Sequence, residues 1–220
     1  MNYKIIIPAR ANSKRLPGKN IMILGGKPLI QYSIDFALNY FPGDSIWVNS
    51  DCPNIIEFSK RKGLKTLVRP ENLALDSTPT VDVLKFHINY FKKKNIACDA
   101  IILLQPTNPF REDNLLKIAI EKFEESKRNS LATFSISKKK LGKLEDGFFI
   151  PINYSPGQRS QDIKSSYFEN GLIYITKCES ILSGKVITED VYPLINNSIE
   201  ATVDIDNLED FKFAELILKK

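Results

Sequence analysis

The sequence predicts an α/β fold with a mostly parallel central sheet, on three observations. Residues 5–7 are three consecutive isoleucines, short and apolar enough for a strand buried on both faces. From there to residue 136, apolar runs alternate with helical stretches, the pattern of parallel strands joined by crossover helices. The first strand also opens at its carboxyl end into a loop carrying Arg10, Lys14, Arg15 and Lys19 without an acidic residue. That edge is where open α/β sheets place their ligands.

The elements follow in order. Pro8 has no N–H and is expected to end the first ladder. Four cations in the next loop repel one another unless an anion lies between them, so the loop reads as a polyphosphate site, with a merely solvated basic loop as the alternative. It is not a Walker A loop: Ser13 stands where the first glycine belongs and Asn20 where Ser or Thr belongs. Pro28 reads as the first-turn proline of a helix through Ile30, Ile34, Phe36, Ala37 and Tyr40, stopped by Pro42-Gly43. Residues 45–49 are a second strand, Asp51 is a candidate cap for a helix over 55–62, and Gly63 ends that helix. Residues 64–68 are a third strand. In the polar loop 69–80, Thr78 could cap the following helix, with Pro79 at its first position and Asp82 in its first turn. Residues 99–104 are a fourth strand, whose outlet is Gln105-Pro106-Thr107-Asn108-Pro109-Phe110-Arg111. Two prolines fix that backbone, and Gln105 offers both donor and acceptor at the ligand edge. Arg111 reads as the start of a structural turn before a helix over 114–127.

A fifth strand spans 131–136, after which the alternation breaks. Residues 138–166 hold a lysine run, a predicted hairpin around Asp146-Gly147 and a polar segment near Pro156-Gly157, too long for a tight connection. On the strand predicted over 166–175, Asn170 and Tyr174 lie an even number apart and should share a face. Tyr174 could equally be a core aromatic. Near the end comes Val203-Asp204-Ile205-Asp206, before a helix over 208–219. Read as a strand, it points both carboxylates one way. Side by side they raise each other's pKa unless a cation sits between them, and magnesium suits carboxylate and phosphate oxygens. Alternatively, Asp206 or Asn207 caps the last helix.

Composition narrows the class. At 220 residues, 43% hydrophobic and 26% charged, the chain suits one globular domain. A net charge of +5 agrees with anionic substrates and is too dispersed for nucleic acid. Cys52, Cys98 and Cys178 show no metal spacing, and a reducing cytoplasmic setting with unpaired thiols is expected. An early first strand leaves no room for a signal peptide, and no apolar run is long enough for a membrane span. The single histidine, His87, sits on an amphipathic helix with no nucleophile motif nearby and reads as structural.

Several strings together resemble the acylneuraminate cytidylyltransferases, the CMP-sialic acid synthetase family: residues 5–20, 69–80, 103–111, 170–175 and 203–206. The 103–111 string matches the family's Leu-Leu-Gln-Pro-Thr-Ser-Pro-Leu-Arg almost residue for residue. The resemblance covers essentially the whole chain. It implies a Rossmann-like nucleotide-diphospho-sugar transferase fold over 1–220, with 138–166 as an inserted dimerisation arm of a homodimer. It further implies a magnesium-dependent reaction that joins CTP to a 2-keto acid nonulosonic sugar, giving a CMP-sugar and pyrophosphate. The sugar would be sialic acid or a relative such as legionaminate or pseudaminate.

In that family the first loop wraps the phosphates of CTP. Arg10, Ser13, Lys14, Lys19 and Asn20 fall on its positions, with Arg10 and Lys19 in catalytic roles. By the same resemblance Arg69, Thr78 and Thr80 contact base and ribose, while Gln105, Asn170 and Tyr174 meet the sugar. Arg159 matches an arginine that the arm donates to the partner's site for the sugar carboxylate, with Lys139 or Lys140 as a second cation. Asp204 and Asp206 match the metal-binding pair. The alternatives are an octulosonate (Kdo-type) cytidylyltransferase, whose loop also contains Arg-Leu-Pro-Gly-Lys, and a non-catalytic nucleotide-binding protein of the same fold. Lys19-Asn20 and Gln105-Pro106-Thr107 favour the nine-carbon branch; Lys19 together with both aspartates favours an enzyme.

Overall fold

The computed structural model describes residues 1–11 and 13–219. The chain begins with β1 (Tyr3–Pro8), whose Ile5, Ile6 and Ile7 are wholly buried. Burying each such side chain contributes about 1.5–3 kcal/mol. A short hairpin of β2 (Ile23–Leu24) and β3 (Lys27–Pro28) leads into α1 (Leu29–Leu38). Then come β4 (Ile46–Ser50), α2 (Pro53–Arg61), β5 (Lys65–Val68), α3 (Thr80–Lys93), β6 (Ala100–Leu103) and α4 (Leu115–Ser126). The second half holds β7 (Ser130–Ser137), β8 (Gly142–Glu145), β9 (Phe148–Pro151), β10 (Ser166–Lys177), α5 (Cys178–Leu182), β11 (Tyr192–Ile195) and α6 (Leu208–Leu218).

Seven strands form one sheet in the order β11-β7-β10-β6-β1-β4-β5. Only β10 runs against its neighbours; the remaining pairs are parallel. From β1 the chain builds outward to β4 and β5 on one side and later to β6 on the other, so the topology reverses at β1. A crevice therefore opens outside the carboxyl ends of β1, β4 and β6. Helices cover both faces. One core layer packs Ile30, Ile34, Leu116 and Phe123 on the sheet, and the other packs Leu84, Ile88 and Phe91.

Local differences from the sequence reading have physical reasons. Pro8 does not end the β1–β4 ladder: it lies opposite Asn49, and Ala9 N–H donates to Asn49 O at 2.9 Å. The donor that proline lacks would face β6, whose pairing with β1 already stops at Ile6↔Leu103. Pro28 sits one residue before α1 rather than in its first turn. Neither Asp51 nor Thr78 caps a helix: the cap positions of α2 and α3 are Cys52 and Pro79, without a side-chain bond.

The excursion after β7 does form the expected hairpin. Asp146 (φ 49°) and Gly147 (φ 82°) both take positive φ, as the two-residue turn joining β8 to β9 requires. Leu144 is 79% exposed and Phe148 73% exposed on it. Among the described residues no helix is long and apolar enough to cross a membrane.

Candidate active site

The basic loop is held in shape by its own backbone and by neighbouring strand ends. Ala11 N–H donates to Asp51 Oδ1 at 2.7 Å, which is what Asp51 does instead of capping α2. Gly18 takes φ +69°, a conformation that favours glycine, and turns the chain into a single 3₁₀ turn, Lys19–Ile21. Asn20 Nδ2 then reaches back to Arg10 O at 2.9 Å, closing the loop on itself.

This closure brings Lys19 inward, where its buried ammonium donates to Ile205 O at 2.7 Å and Asp206 Oδ1 at 3.0 Å. Arg15 Nη2 takes the other Asp206 oxygen at 2.6 Å. Arg10 pairs with Asp76, and Lys14 lies 3.8 Å from the same carboxylate. The cations predicted to need anions between them thus have two, Asp76 and Asp206. Sequence reasoning gave Asp76 no role.

A cavity of about 330 Å³ opens at this point. The basic loop contributes Arg10, Ser13, Lys19 and Asn20 to its wall, the next loops add Arg69, Thr78, Thr80 and Gln105, and the carboxyl-terminal segment adds Asp206. Lys14 is exposed at the rim, outside the wall. Arg69 is buried, with Nε donating to Asn49 Oδ1 at 2.6 Å; burial brings its guanidinium down to about 10, still charged at neutral pH.

Gln105 is fixed by the arginine read as structural. Arg111 donates to Gln105 O at 2.8 Å, Leu172 O at 2.7 Å and Ser33 Oγ at 3.0 Å, and burial lowers its pKa to about 9. Asn108 performs a second tie: its Nδ2 donates to Asn170 O at 3.0 Å and Val203 O at 3.2 Å, joining three of the motif strings.

The Asp204–Asp206 string is not a ladder strand. It is an extended segment held by Ile205 N–H to Thr107 O at 2.8 Å, with Val203 and Ile205 buried and both aspartates turned outward. Alternation survives because the apolar side chains pack against Leu16, Leu24 and Phe211. The final helix is capped by Asn207 and Asp210 in a reciprocal box, so Asp206 is not needed as a cap. Although solvent-accessible, Asp204 has its pKa raised, first by partial loss of water and then by the Asp206 charge, against a Thr107 hydrogen bond and Lys19. Among the described residues no cluster of three or more His, Cys, Asp or Glu could hold a metal. The hard donors on offer are these two carboxylates: among the described residues Asp204 makes no ion pair, whereas both Asp206 oxygens are held by Lys19 and Arg15. A divalent cation therefore fits at Asp204 with phosphate oxygens once the exposed Arg15 gives up its Asp206 oxygen.

A smaller cavity of about 180 Å³ shares Thr80 and Gln105 with the first and is closed by Leu103, Glu169, Tyr174, Val186 and Ile187. Here the expectation that Asn170 and Tyr174 share a face fails. A bulge lies between Glu169 and Tyr174, so residues paired with Phe134 and Ala132 of β7, two apart on one face, are Glu169 and Tyr174. Tyr174 Oη donates to Glu169 Oε2 at 3.3 Å, and burial raises its pKa. Asn170 points to the opposite face, buried, with Nδ2 on Ser135 Oγ at 2.9 Å. Gly171 makes the bulge possible: it takes φ +74°, and a Cβ there would meet Asn108 Oδ1 at 2.5 Å.

Arg159 lies in neither cavity; it is exposed and pairs with Asp162 at 2.7 Å. Lys139 is exposed, and Lys140 Nζ donates to Gln158 O at 2.7 Å. The structure therefore gathers residues of the first loop, the 69–80 loop, Gln105 and Asp206 around one cavity and leaves Lys14, Asp204 and the arm's cations outside its wall.

Comparison with known proteins shows the family and the fold. The family model described as Cytidylyltransferase matches residues 4–218. The CMP-N,N'-diacetyllegionaminic acid synthase of Legionella pneumophila is 30% identical over 225 residues, covering 100% of this chain and 97% of that protein. The pseudaminic acid cytidylyltransferase of Campylobacter jejuni serotype O:23/36 is 33% identical over 230 residues, covering 100% and 97%. A solved CMP:2-keto-3-deoxy-manno-octonic acid synthetase complexed with CTP superposes with a TM-score of 0.71 at 17% identity, covering 100% of this chain and 99% of that one, a likeness of fold.

Proposed function

The chain belongs to the cytidylyltransferase family, and from that premise we propose that it couples CTP to a nonulosonic 2-keto acid, giving a CMP-sugar and pyrophosphate. One observation supports the reading: the buried ammonium of Lys19 joins the basic loop to Asp206 in the wall of one cavity, with Asp204 outside that wall but near enough to feel both charges.

Positioning and charge neutralisation do the work. Arg10, Lys14, Arg15 and Lys19 bind the triphosphate and stabilise the departing pyrophosphate. Ser13 and Asn20 add hydrogen bonds from the loop. Arg69, Thr78 and Thr80 hold base and ribose. Asp204 and Asp206 would hold magnesium, which supplies charge neutralisation at the α-phosphate and lowers the pKa of a bound hydroxyl. The acid sugar occupies the adjoining smaller cavity, with its hydroxyl or amide hydrogens toward Gln105, Tyr174 and Glu169 and apolar substituents against Val186 and Ile187. A carboxylate at Glu169 disfavours the sugar's own carboxylate there, which supports binding of that group by Arg159, with Lys139 or Lys140, from the arm of a partner subunit. The exposed Leu144 and Phe148 of that arm suit such a homodimer.

An octulosonate acceptor is the second reading, supported by the fold likeness to the CTP-bound octonic acid synthetase. The test is a panel of acceptors, neuraminate, legionaminate, pseudaminate and octulosonate, incubated with CTP and magnesium and read by mass spectrometry. CMP-adducts of nine-carbon acids are expected. An adduct with octulosonate alone selects the second reading, and no adduct with any acid removes both.

A further inference from the structure

At the end of the sheet opposite the cavity, two of the three cysteines converge across 80 residues of sequence. Cys98 lies in the loop before β6, partly buried, and Cys178 opens α5, nearly covered. Their sulfurs are 3.4 Å apart. The approach is fixed by main chain, since Cys178 N–H donates to Asp99 O at 2.9 Å and Lys177 pairs with Ala100 in the β6–β10 ladder. A concavity of about 390 Å³ bordered by both residues, Lys92 and Lys177 gives a small oxidant access. The mechanism above uses none of these groups.

We propose that Cys98 and Cys178 form a reversible oxidation site, a dithiol that hydrogen peroxide converts to an intramolecular disulfide. A disulfide requires the sulfurs to close to about 2.05 Å, a contraction of about 1.4 Å that side-chain rotation at two loop-end positions supplies. Cys178 is assigned as the attacking sulfur: the hydrogen bond it shares with Cys98, aided by the charge of Lys92, lowers its pKa against burial, Asp99 and Glu179. The same bond, with burial, raises that of Cys98. The Cys178 thiolate attacks one peroxide oxygen; an S–O bond forms, the O–O bond breaks, and hydroxide leaves and is protonated to water. The Cys98 sulfur then displaces the hydroxyl of the resulting sulfenic acid, forming the S–S bond, and its proton departs with that hydroxyl as a second water. Two thiols lose two electrons and the peroxide gains two. Cys52 packs against the other core layer, by residues of α2, and serves as an internal control.

The experiment treats the native full-length protein with hydrogen peroxide, blocks remaining thiols with iodoacetamide and maps peptides by mass spectrometry. The expected result is a fall in alkylatable thiols from three to one, a Cys98–Cys178 linked peptide pair lighter by two hydrogens, and full recovery with dithiothreitol. In Cys98→Ser, dimedone should trap a sulfenic acid on Cys178. Three alkylated cysteines after peroxide, a disulfide that engages Cys52, or one that joins two chains overturns the proposal.

Discussion

Lys19 Nζ lies 3.0 Å from Asp206 Oδ1, joining a residue of the first loop to one 187 positions later. A buried ammonium is tolerated only when partnered, and Lys19 has two partners in this segment, Asp206 Oδ1 and Ile205 O at 2.7 Å, the second of which survives removal of the carboxylate. Around it the family's chemistry becomes a matter of which side chains face which cavity.

Glu169 is the clearest case. It faces the smaller cavity beside Tyr174 because the bulge inverts the local register. Glu169→Gln is expected to raise KM for the acid sugar by about tenfold, the loss of one charge-assisted hydrogen bond, with KM for CTP unchanged. Steady-state kinetics with each substrate varied checks this; a change confined to CTP would contradict it.

Asp204 places function and stability in opposition. Its folded pKa is raised above 3.8, so the native state holds this proton more tightly than the unfolded chain does. The destabilisation is absent below the ordinary aspartate value and complete above the raised one. Asp204→Asn should therefore melt higher than wild type at pH 7, lose that advantage as pH falls toward 3.8, and lack turnover. A melting difference independent of pH would refute the assignment.

His87 predicts the acid limb of stability. Among the described residues neither ring nitrogen has a hydrogen-bond partner, the ring packs against Trp47 and Phe91, and burial, then the charge of Arg69, pushes its pKa to about 3. The unfolded chain takes up this proton near 6.5, so the stability it confers is full above 6.5 and is lost as pH falls toward 3. The slope reaches about 1.4 kcal/mol per pH unit. Denaturant titrations from pH 7 to pH 4 should show that slope in wild type and a shallower one in His87→Leu.

The order of strands and helices was legible because hydrophobic periodicity and Gly/Pro punctuation act locally. That the basic loop needs anionic partners was legible for a similar reason: unbalanced charge within ten residues demands them, and Asp76 and Asp206 supply two. What local reasoning could not reach were contacts chosen by tertiary structure. Asp51 has the sequence context of a helix cap, yet it serves Ala11, 40 residues earlier. Asn170 and Tyr174 obey the two-residue period only on an unbroken strand, and Gly171 breaks it. That glycine was the available signal. Asp204 and Asp206 lie on the side away from Val203 and Ile205 as predicted, but packing beneath those two apolar residues enforces it rather than a ladder.

The most direct test of the account is the rate of pyrophosphate release from CTP, with an accepted acid sugar and saturating magnesium, in wild type and Asp206→Ala. Release is expected to require both magnesium and the sugar, and kcat to fall at least about 10³-fold in the variant while its circular dichroism stays native. Release at the wild-type rate from natively folded Asp206→Ala would contradict it.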